Sequence, residues 1–130
     1  MMAMSRFSGD QGYQAFHILQ VTFIIAPILA GVDKFFYLLT NWSQYISPLT
    51  LRIINYHDHG FMMIAGVIEI IAGIGIIFKP KIFAYVISLW LLGIIINLLF
   101  TGHYFDIALR DLGLLLAAIS LGRLSAKYAK

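Results

Sequence analysis

The chain has 130 residues and a net charge of +3, and hydrophobic residues make up 61% of it against only 12% charged residues. Soluble domains are about 45–50% apolar and about 25% charged, so this composition excludes an ordinary soluble domain and indicates a membrane protein. The chain contains no cysteine, which excludes disulfides, thiolate metal sites and a cysteine nucleophile.

Four apolar stretches follow one another along the chain, and each of them predicts a helix. They cover about residues 16–39, 57–78, 82–100 and 105–123. A helix needs about 20 apolar residues to cross roughly 30 Å of hydrocarbon, and each stretch meets that length within the usual allowance for tilt. We therefore predict an all-α, polytopic membrane four-helix bundle, in which residues 1–130 form a single transmembrane domain.

The longest connection lies between the first two stretches, at residues 40–56. It contains Trp42, Tyr45 and Tyr56, which are amphipathic aromatic residues typical of the membrane–water interface. Ser47 and Pro48 predict a helix start, with the serine as N-cap and the proline at the first helical position. Two interpretations stay open here, a short interfacial helix or an extended beginning of the second span.

Basic residues concentrate on the side of the predicted bundle that holds both termini. They are Arg6, Lys79, Lys81, Arg123, Lys127 and Lys130. That side has one acid, Asp10, while the opposite side has only Arg52 as a clear loop cation. Short loops rich in lysine and arginine stay in the cytoplasm, so we expect cytoplasmic termini and contacts between these cations and anionic membrane lipids. Because the cations flank apolar spans, we expect no nucleic-acid partner.

Ionisable and amide side chains cluster towards the other side of the predicted bundle. The set consists of Asp33, Lys34, Glu69, Asn97, Asp106, Arg110 and Asp111. Glu69 has small residues three and four positions before and after it, so it should face neighbouring helices and not lipid. An arginine in such a place seeks carboxylates that accept two hydrogen bonds. We predict a buried network centred on Arg110, with Glu69 and either Asp33 or Asp111 as its partners.

Two roles for this polar network stay equally open. Charge within a membrane marks a functional site by default, which favours a proton or substrate path or a site for a quinone headgroup. A static pair that fixes the register of the helices is the alternative. Towards the side of the termini, the last two spans have only Ser88 and Ser120 as polar groups. This pattern argues against a proton pump or a uniporter formed by one chain.

Three histidines, His57, His59 and His103, are expected on the side opposite the termini. They could form a metal or haem site there, or they could be separate interfacial residues. Histidines two positions apart on a helix point about 200° apart, so His57 and His59 can share a metal only if the backbone there is irregular. We favour the interfacial interpretation and assign no metal ligands.

Three motifs together resemble the DoxX-like membrane proteins, a family of four-helix transmembrane bundles. The motifs are GVDKFF, GVIEIIAGIGIIF and DIALRDLGLLLAAISLGRLS. The residues that match the family pattern are Gly31, Lys34, Glu69, Gly73, Arg110 and Asp111. The resemblance extends from about residue 17 to 125, without residues 41–56 and the HDH triplet. It implies a location in the bacterial inner membrane, and some relatives are accessory proteins or small subunits of quinone-linked oxidoreductases.

No set of nucleophile, base and orienting group is recognisable, and there is no phosphate loop or dinucleotide fingerprint. We therefore expect no catalytic activity of the chain's own. The leading hypothesis is an accessory or small subunit of a larger membrane assembly, with other membrane subunits or further copies of the chain as partners. The alternatives are an autonomous binder of a small or lipid-soluble ligand, such as a quinone or a lipid in an outward-facing polar pocket, and a metal or haem protein.

Overall fold

The structure is a computed structural model that describes residues 10–129, and within them every regular element is helical. The elements are α1 (Gln11–Phe36), a 3-10 helix (Trp42–Tyr45), α2 (Pro48–Ile53), α3 (Asp58–Phe78), α4 (Pro80–Thr101) and α5 (Phe105–Tyr128). The predicted all-α class is therefore confirmed. The four long helices α1, α3, α4 and α5 coincide with the four apolar stretches of the sequence.

The long helices pack as two antiparallel pairs. Helix α1 lies along α3, and α4 lies along α5, while α1–α5 and α3–α4 contacts join the two pairs. The buried residues of the main core come from all four helices, with Phe16 and Phe23 from α1, Ile76 from α3, Ala84 from α4 and Leu121 from α5. One apolar core therefore holds the two pairs together.

Between residues 10 and 129, three helices are long and apolar enough to cross a membrane, namely α1, α3 and α4. Their outer surfaces expose large aliphatic side chains such as Ile18, Leu29, Ile64 and Leu89. This is the outer surface that a hydrocarbon environment requires. Helix α5 does not belong to this group. Its charged residues are Asp106, Arg110, Asp111, Arg123 and Lys127.

Hydrogen bonds at the ends of α1 explain where it departs from the predicted bounds. The helix begins at Gln11, five residues early, because the Asp10 side chain accepts hydrogen bonds from the N–H groups of Gly12 and Tyr13. It ends at Phe36, before the predicted limit at residue 39, because Tyr37 takes a left-handed conformation at φ 57°.

The connection after α1 forms a compact cover over one end of the helices. We call residues 37–57 the cap segment. Ser47 accepts a hydrogen bond from the N–H of Thr50, and Pro48 is the first residue of α2. The predicted helix start is therefore confirmed. Of the two interpretations left open, the separate short helix is the correct one, because α3 begins only at Asp58.

The beginning of α1 and the end of α5 meet at the opposite end, which we call the terminal end. The hydroxyl of Tyr128 donates to both carboxylate oxygens of Asp10 at 3.1 Å. The rings of Tyr13 and Phe16 lie 5.6 and 6.0 Å from that of Tyr128. Of the predicted basic residues, Arg6 and Lys130 lie outside the described residues. The remaining four, Lys79, Lys81, Arg123 and Lys127, are exposed.

Candidate functional site

The backbones of α1 and α3 approach each other closely below the cap segment. A Cβ atom added to Gly31 would lie 2.5 Å from the carbonyl oxygen of Gly66, and one added to Gly66 would lie 2.5 Å from that of Gly31. No side chain larger than hydrogen fits between the helices here. Glu69 lies beside Gly31 and Lys34 lies beside Gly66, on opposite sides of this crossing, and their long side chains meet across it.

Lys34 and Glu69 form a buried ion pair. Lys34 Nζ lies 2.6 Å from Glu69 Oε1, and the two side chains are only 9% and 10% exposed. The angle between these two groups does not meet the criteria of a hydrogen bond. Glu69 Oε1 therefore has an ionic partner but no hydrogen-bond donor. The ring of Trp42 covers the ammonium group at 3.9 Å from its centroid. The lysine charge is thus shared between a carboxylate and an aromatic face.

The predicted pair between Arg110 and Glu69 is wrong. The Arg110 side chain is 65% exposed, and its Nε and Nη2 donate to Oδ1 of the adjacent Asp111 at 3.2 and 3.1 Å. Glu69 lies on the face of α3 that packs against α1, so the nearest cation comes from α1. Consecutive residues of a helix point about 100° apart, and it is Asp111, not Arg110, that faces the interior.

Asp111 therefore joins the interior set as a second acid. Its side chain is buried, and its carboxylate is within electrostatic range of Glu69. Arg110 neutralises it from the outer surface, while Lys34 neutralises Glu69 from within. The structure thus replaces one network centred on an arginine by two ion pairs side by side.

Asp33 anchors the cap segment instead of joining the arginine. Its carboxylate accepts hydrogen bonds from the N–H groups of Leu38 and Leu39 at 3.0 and 2.9 Å, and from the indole N–H of Trp42 at 2.9 Å. The side chain is buried, yet three donors satisfy it, which is the condition for a stable buried carboxylate. The position of Trp42 over Lys34 follows directly from this anchor.

Asn97 makes the second attachment of the cap segment. Its Oδ1 accepts from the N–H of Ser47 and the hydroxyl of Thr50, both at 2.9 Å, and its Nδ2 donates to the carbonyl of Tyr45 at 2.6 Å. The Thr50 bond joins α4 to α2. The ring of Tyr45 also packs edge-on against that of Tyr104, at 4.8 Å between centroids. The cap segment is therefore fixed to α1, α4 and the α4–α5 link.

Asp106 lies apart from the buried set. It is exposed on the first turn of α5 and makes no hydrogen bond or ion pair with any described residue. Arg110 follows one turn later on the same side of the helix. Further along this exposed side are Gly113, next to which a Cβ would meet no atom within 4 Å, and the exposed Ser120.

The three histidines are exposed and point to different neighbours. His57 Nδ1 lies 3.1 Å from the carbonyl of Ile54, while the rings of His59 and His103 pack against Tyr37 and Tyr104. Within residues 10–129, no group of three histidine, cysteine, aspartate or glutamate side chains is arranged to hold a metal ion. The three histidines therefore form no shared metal site of this kind within the described residues.

An open groove of about 450 Å³ lies on the outer side of α1 and α3, near the cap segment. Its lining residues are Phe35, Gly60, Met63, Ile64, Val67 and Ile68. The groove is apolar, and none of the predicted polar residues lines it. It therefore differs from the predicted polar pocket in both its chemistry and its lining.

Sequence reasoning missed the role of Trp42. We assigned it to the membrane interface from its residue type, whereas it donates to Asp33 and covers Lys34. The signal in the sequence is that Trp42 follows Asp33 and Lys34 by only nine and eight residues. Comparison with protein-family models, with curated proteins and with solved structures finds no match to this chain.

Proposed function

We propose that the chain is a four-span, non-catalytic subunit of a membrane assembly and that it docks on its partner through the exposed side of α5. This helix is of similar length to its three apolar neighbours and lies along α4. Because α5 packs antiparallel along α4, a membrane that α4 spans also surrounds α5. The DoxX-like resemblance, the bacterial inner membrane and the cytoplasmic termini belong to the same proposal.

The observation that carries this proposal is the chemistry of the exposed side of α5. Like the other long helices, α5 exposes aliphatic side chains, such as Leu109 and Leu116 at 70% and 57%. It differs in that Asp106, Arg110 and Ser120 are exposed among them. Charged residues within a membrane almost always face protein or water, because exposure to acyl chains costs several kcal/mol. A partner helix on this side of α5 would remove that cost.

The interior polar groups support a non-catalytic role. Lys34 and Glu69 neutralise each other beneath Trp42, and Asp33 is satisfied by three donors of the cap segment. Such groups fix the packing of α1 on α3 and hold the cap in place, and fixing the register is the best-attested role of buried polar groups.

Purification from native membranes tests the proposal. The chain, tagged and expressed at its native level, is extracted in mild detergent and its co-purifying polypeptides are identified. We expect a stoichiometric complex, which Arg110→Leu weakens and the matched variant Leu89→Ala on the exposed side of α4 leaves intact. Repeated recovery of a lone monomer would contradict the proposal.

A second candidate function is the binding of a lipid-soluble molecule, and the apolar groove favours it. The groove has a volume of about 450 Å³ and an apolar lining, which is the chemistry that an acyl or isoprenoid chain requires. Mass spectrometry of organic extracts from purified protein tests this candidate. We expect one bound lipid or quinone per chain that Val67→Trp, which fills the groove, displaces. An extract identical to that of the variant would exclude it.

A further inference from the structure

We propose that the exposed side of α5 is a self-complementary surface that binds the same surface on a second copy of this chain. This inference rests on the proposed function, because it identifies the partner of the docking surface described there. The two copies are related by a two-fold axis along the membrane normal, so equivalent residues lie at equal depth.

The charges on this surface complement each other between copies. Asp106 has no partner among residues 10–129, and Arg110 uses only Nε and Nη2 for Asp111, which leaves Nη1 without an acceptor in the described chain. Side chains on a helix lean towards its N-terminus, so Arg110 reaches back to the depth of Asp106. In a two-fold pair, each Arg110 can therefore donate to Asp106 of the other copy, which gives two symmetrical ion pairs.

The middle of the same side permits close approach of two helices. Asp106, Gly113 and Ser120 are spaced seven residues apart, so they fall on one stripe of α5. The space beside Gly113 is empty, and the Ser120 hydroxyl donates to the carbonyl of Leu116 at 2.9 Å. A second helix can approach here without a clash and without stranding a polar group. Small residues at such positions are typical of contacts between helices in membranes.

A second copy fits this surface better than an unrelated protein does. An acidic and a basic residue one turn apart on one face satisfy each other on an identical surface, whereas a different partner must supply both opposite charges in matching register. Closed two-fold dimers are also the commonest assemblies of identical chains.

Cysteine cross-linking tests this contact directly, because the chain has no cysteine of its own. Leu116→Cys and Ser120→Cys place a thiol on the exposed side of α5. Ile71→Cys on α3 and Leu89→Cys on α4 are matched controls, since these residues are 56% and 71% exposed. Under mild oxidation in native membranes, we expect a disulfide-linked dimer from the two α5 variants and monomer from the controls. Monomer from both α5 variants, or equal cross-linking of the controls, overturns the proposal.

Charge reversal tests the ion pairs in the Ser120→Cys background. Asp106→Arg and Arg110→Asp should each reduce the dimer fraction by roughly tenfold, because each places like charges opposite each other. Co-expression of the Asp106→Arg chain with the Arg110→Asp chain should restore cross-linking between them, since both ion pairs form again in the mixed dimer. This rescue excludes misfolding as the cause of the loss. Unchanged cross-linking in the single variants, or no rescue in the mixture, contradicts the charge pairing.

The outcomes also separate this inference from the proposed function. A stoichiometric complex with a different polypeptide, without cross-linking between copies, overturns the second copy as partner and leaves the docking role of α5 in place. A lone monomer in both experiments overturns both.

Discussion

The buried ion pair between Lys34 and Glu69 joins α1 to α3 below the cap segment. The position of Lys34 next to Asp33 and the surroundings of Glu69 were readable from helix periodicity, and Glu69 is indeed buried among small residues. Periodicity orients a side chain relative to its own helix but does not identify the neighbouring helix. Several cations and acids were therefore possible partners, and the geometry of α1 against α3 selected Lys34.

The buried ion pair gives the first prediction. Lys34→Met should destabilise the protein by about 3–5 kcal/mol, because it leaves the Glu69 carboxylate without its cation in an apolar interior. Glu69→Gln should also be destabilising, because it strands the ammonium group. The double variant should cost clearly less than the sum of the two. Equilibrium unfolding of the three variants in detergent, followed by circular dichroism, measures this coupling.

Lys81→Met is the matched comparison for that cycle. Because Lys81 is exposed at the terminal end, its loss should be milder than that of Lys34. Equal destabilisation by the two substitutions, or strict additivity between Lys34→Met and Glu69→Gln, would contradict the assignment of the buried pair.

At the scale of the elements, the sequence predicted the long helices well and the cap segment only in part. Continuous apolar runs of about 20 residues indicate long helices. Ser47 and Pro48 indicated the start of α2. The hydrogen bonds that hold the cap join residues about 50 positions apart, such as Ser47 and Asn97. Local patterns contain no information on such distant partners.

The contact of α1 with α3 depends on glycine at the crossing point. Gly66→Ala should cost about 1–3 kcal/mol, because the added methyl group meets the carbonyl of Gly31 and the helices must separate. Gly93→Ala is the matched control, since a Cβ there meets no atom within 4 Å. It should stabilise α4 by about 0.5–1 kcal/mol through its helix propensity. Thermal unfolding of both variants checks the contrast, and equal effects would argue against a close crossing.

Asn97 should control the attachment of the cap segment. Asn97→Ala removes one donor and two accepted bonds, so we expect a loss of about 1–3 kcal/mol in local stability. Limited proteolysis between residues 40 and 56 should become faster, while the rate elsewhere stays unchanged. Thr40→Ala is a control at the edge of the cap, where only a bond to Gln44 is lost. Identical cleavage of the Asn97 variant and the parent chain would exclude this anchoring role.

At the scale of the whole molecule, the pairing of the helices was the part that could not be predicted. The apolar runs predicted how many long helices the chain forms and their order, but each helix exposes aliphatic residues on much of its surface. No single face therefore stood out as the one that meets a particular neighbour. The position of α5 beside α4 likewise came only from the structure.

The closure of the terminal end makes stability depend on pH. Partial desolvation acts to raise the pKa of Asp10, but hydrogen bonds from the Tyr13 N–H, the Tyr128 hydroxyl and the Gly12 N–H outweigh it, and the pKa lies below its usual value. A carboxylate with a lowered pKa in the folded state contributes its full stability above its unfolded pKa of about 3.9. The contribution disappears as the pH falls through the folded pKa.

Acid unfolding of the Asp10→Asn variant measures this contribution. The parent chain should lose stability progressively below about pH 4, the usual range of an aspartate, and the variant should lose less over the same range. Tyr128→Phe removes one of the bonds that lower the pKa, so it should reduce the same dependence in part. Parallel acid-unfolding curves for all three proteins would contradict a role for Asp10 in joining the two ends.

The ion pair between α1 and α3 also constrains biogenesis. Lys34 leaves the ribosome 35 residues before Glu69 and lies in the last turn of α1. In a membrane, the first helix alone would therefore carry an uncompensated ammonium group, at a cost below the roughly 2.5–3.5 kcal/mol of a charge at the centre of a span. Insertion of α1 and α3 together, as one helical hairpin, delivers both charges already neutralised. A nascent chain that stops before residue 69 should therefore integrate less efficiently than one that includes α3, and Lys34→Met should remove that difference.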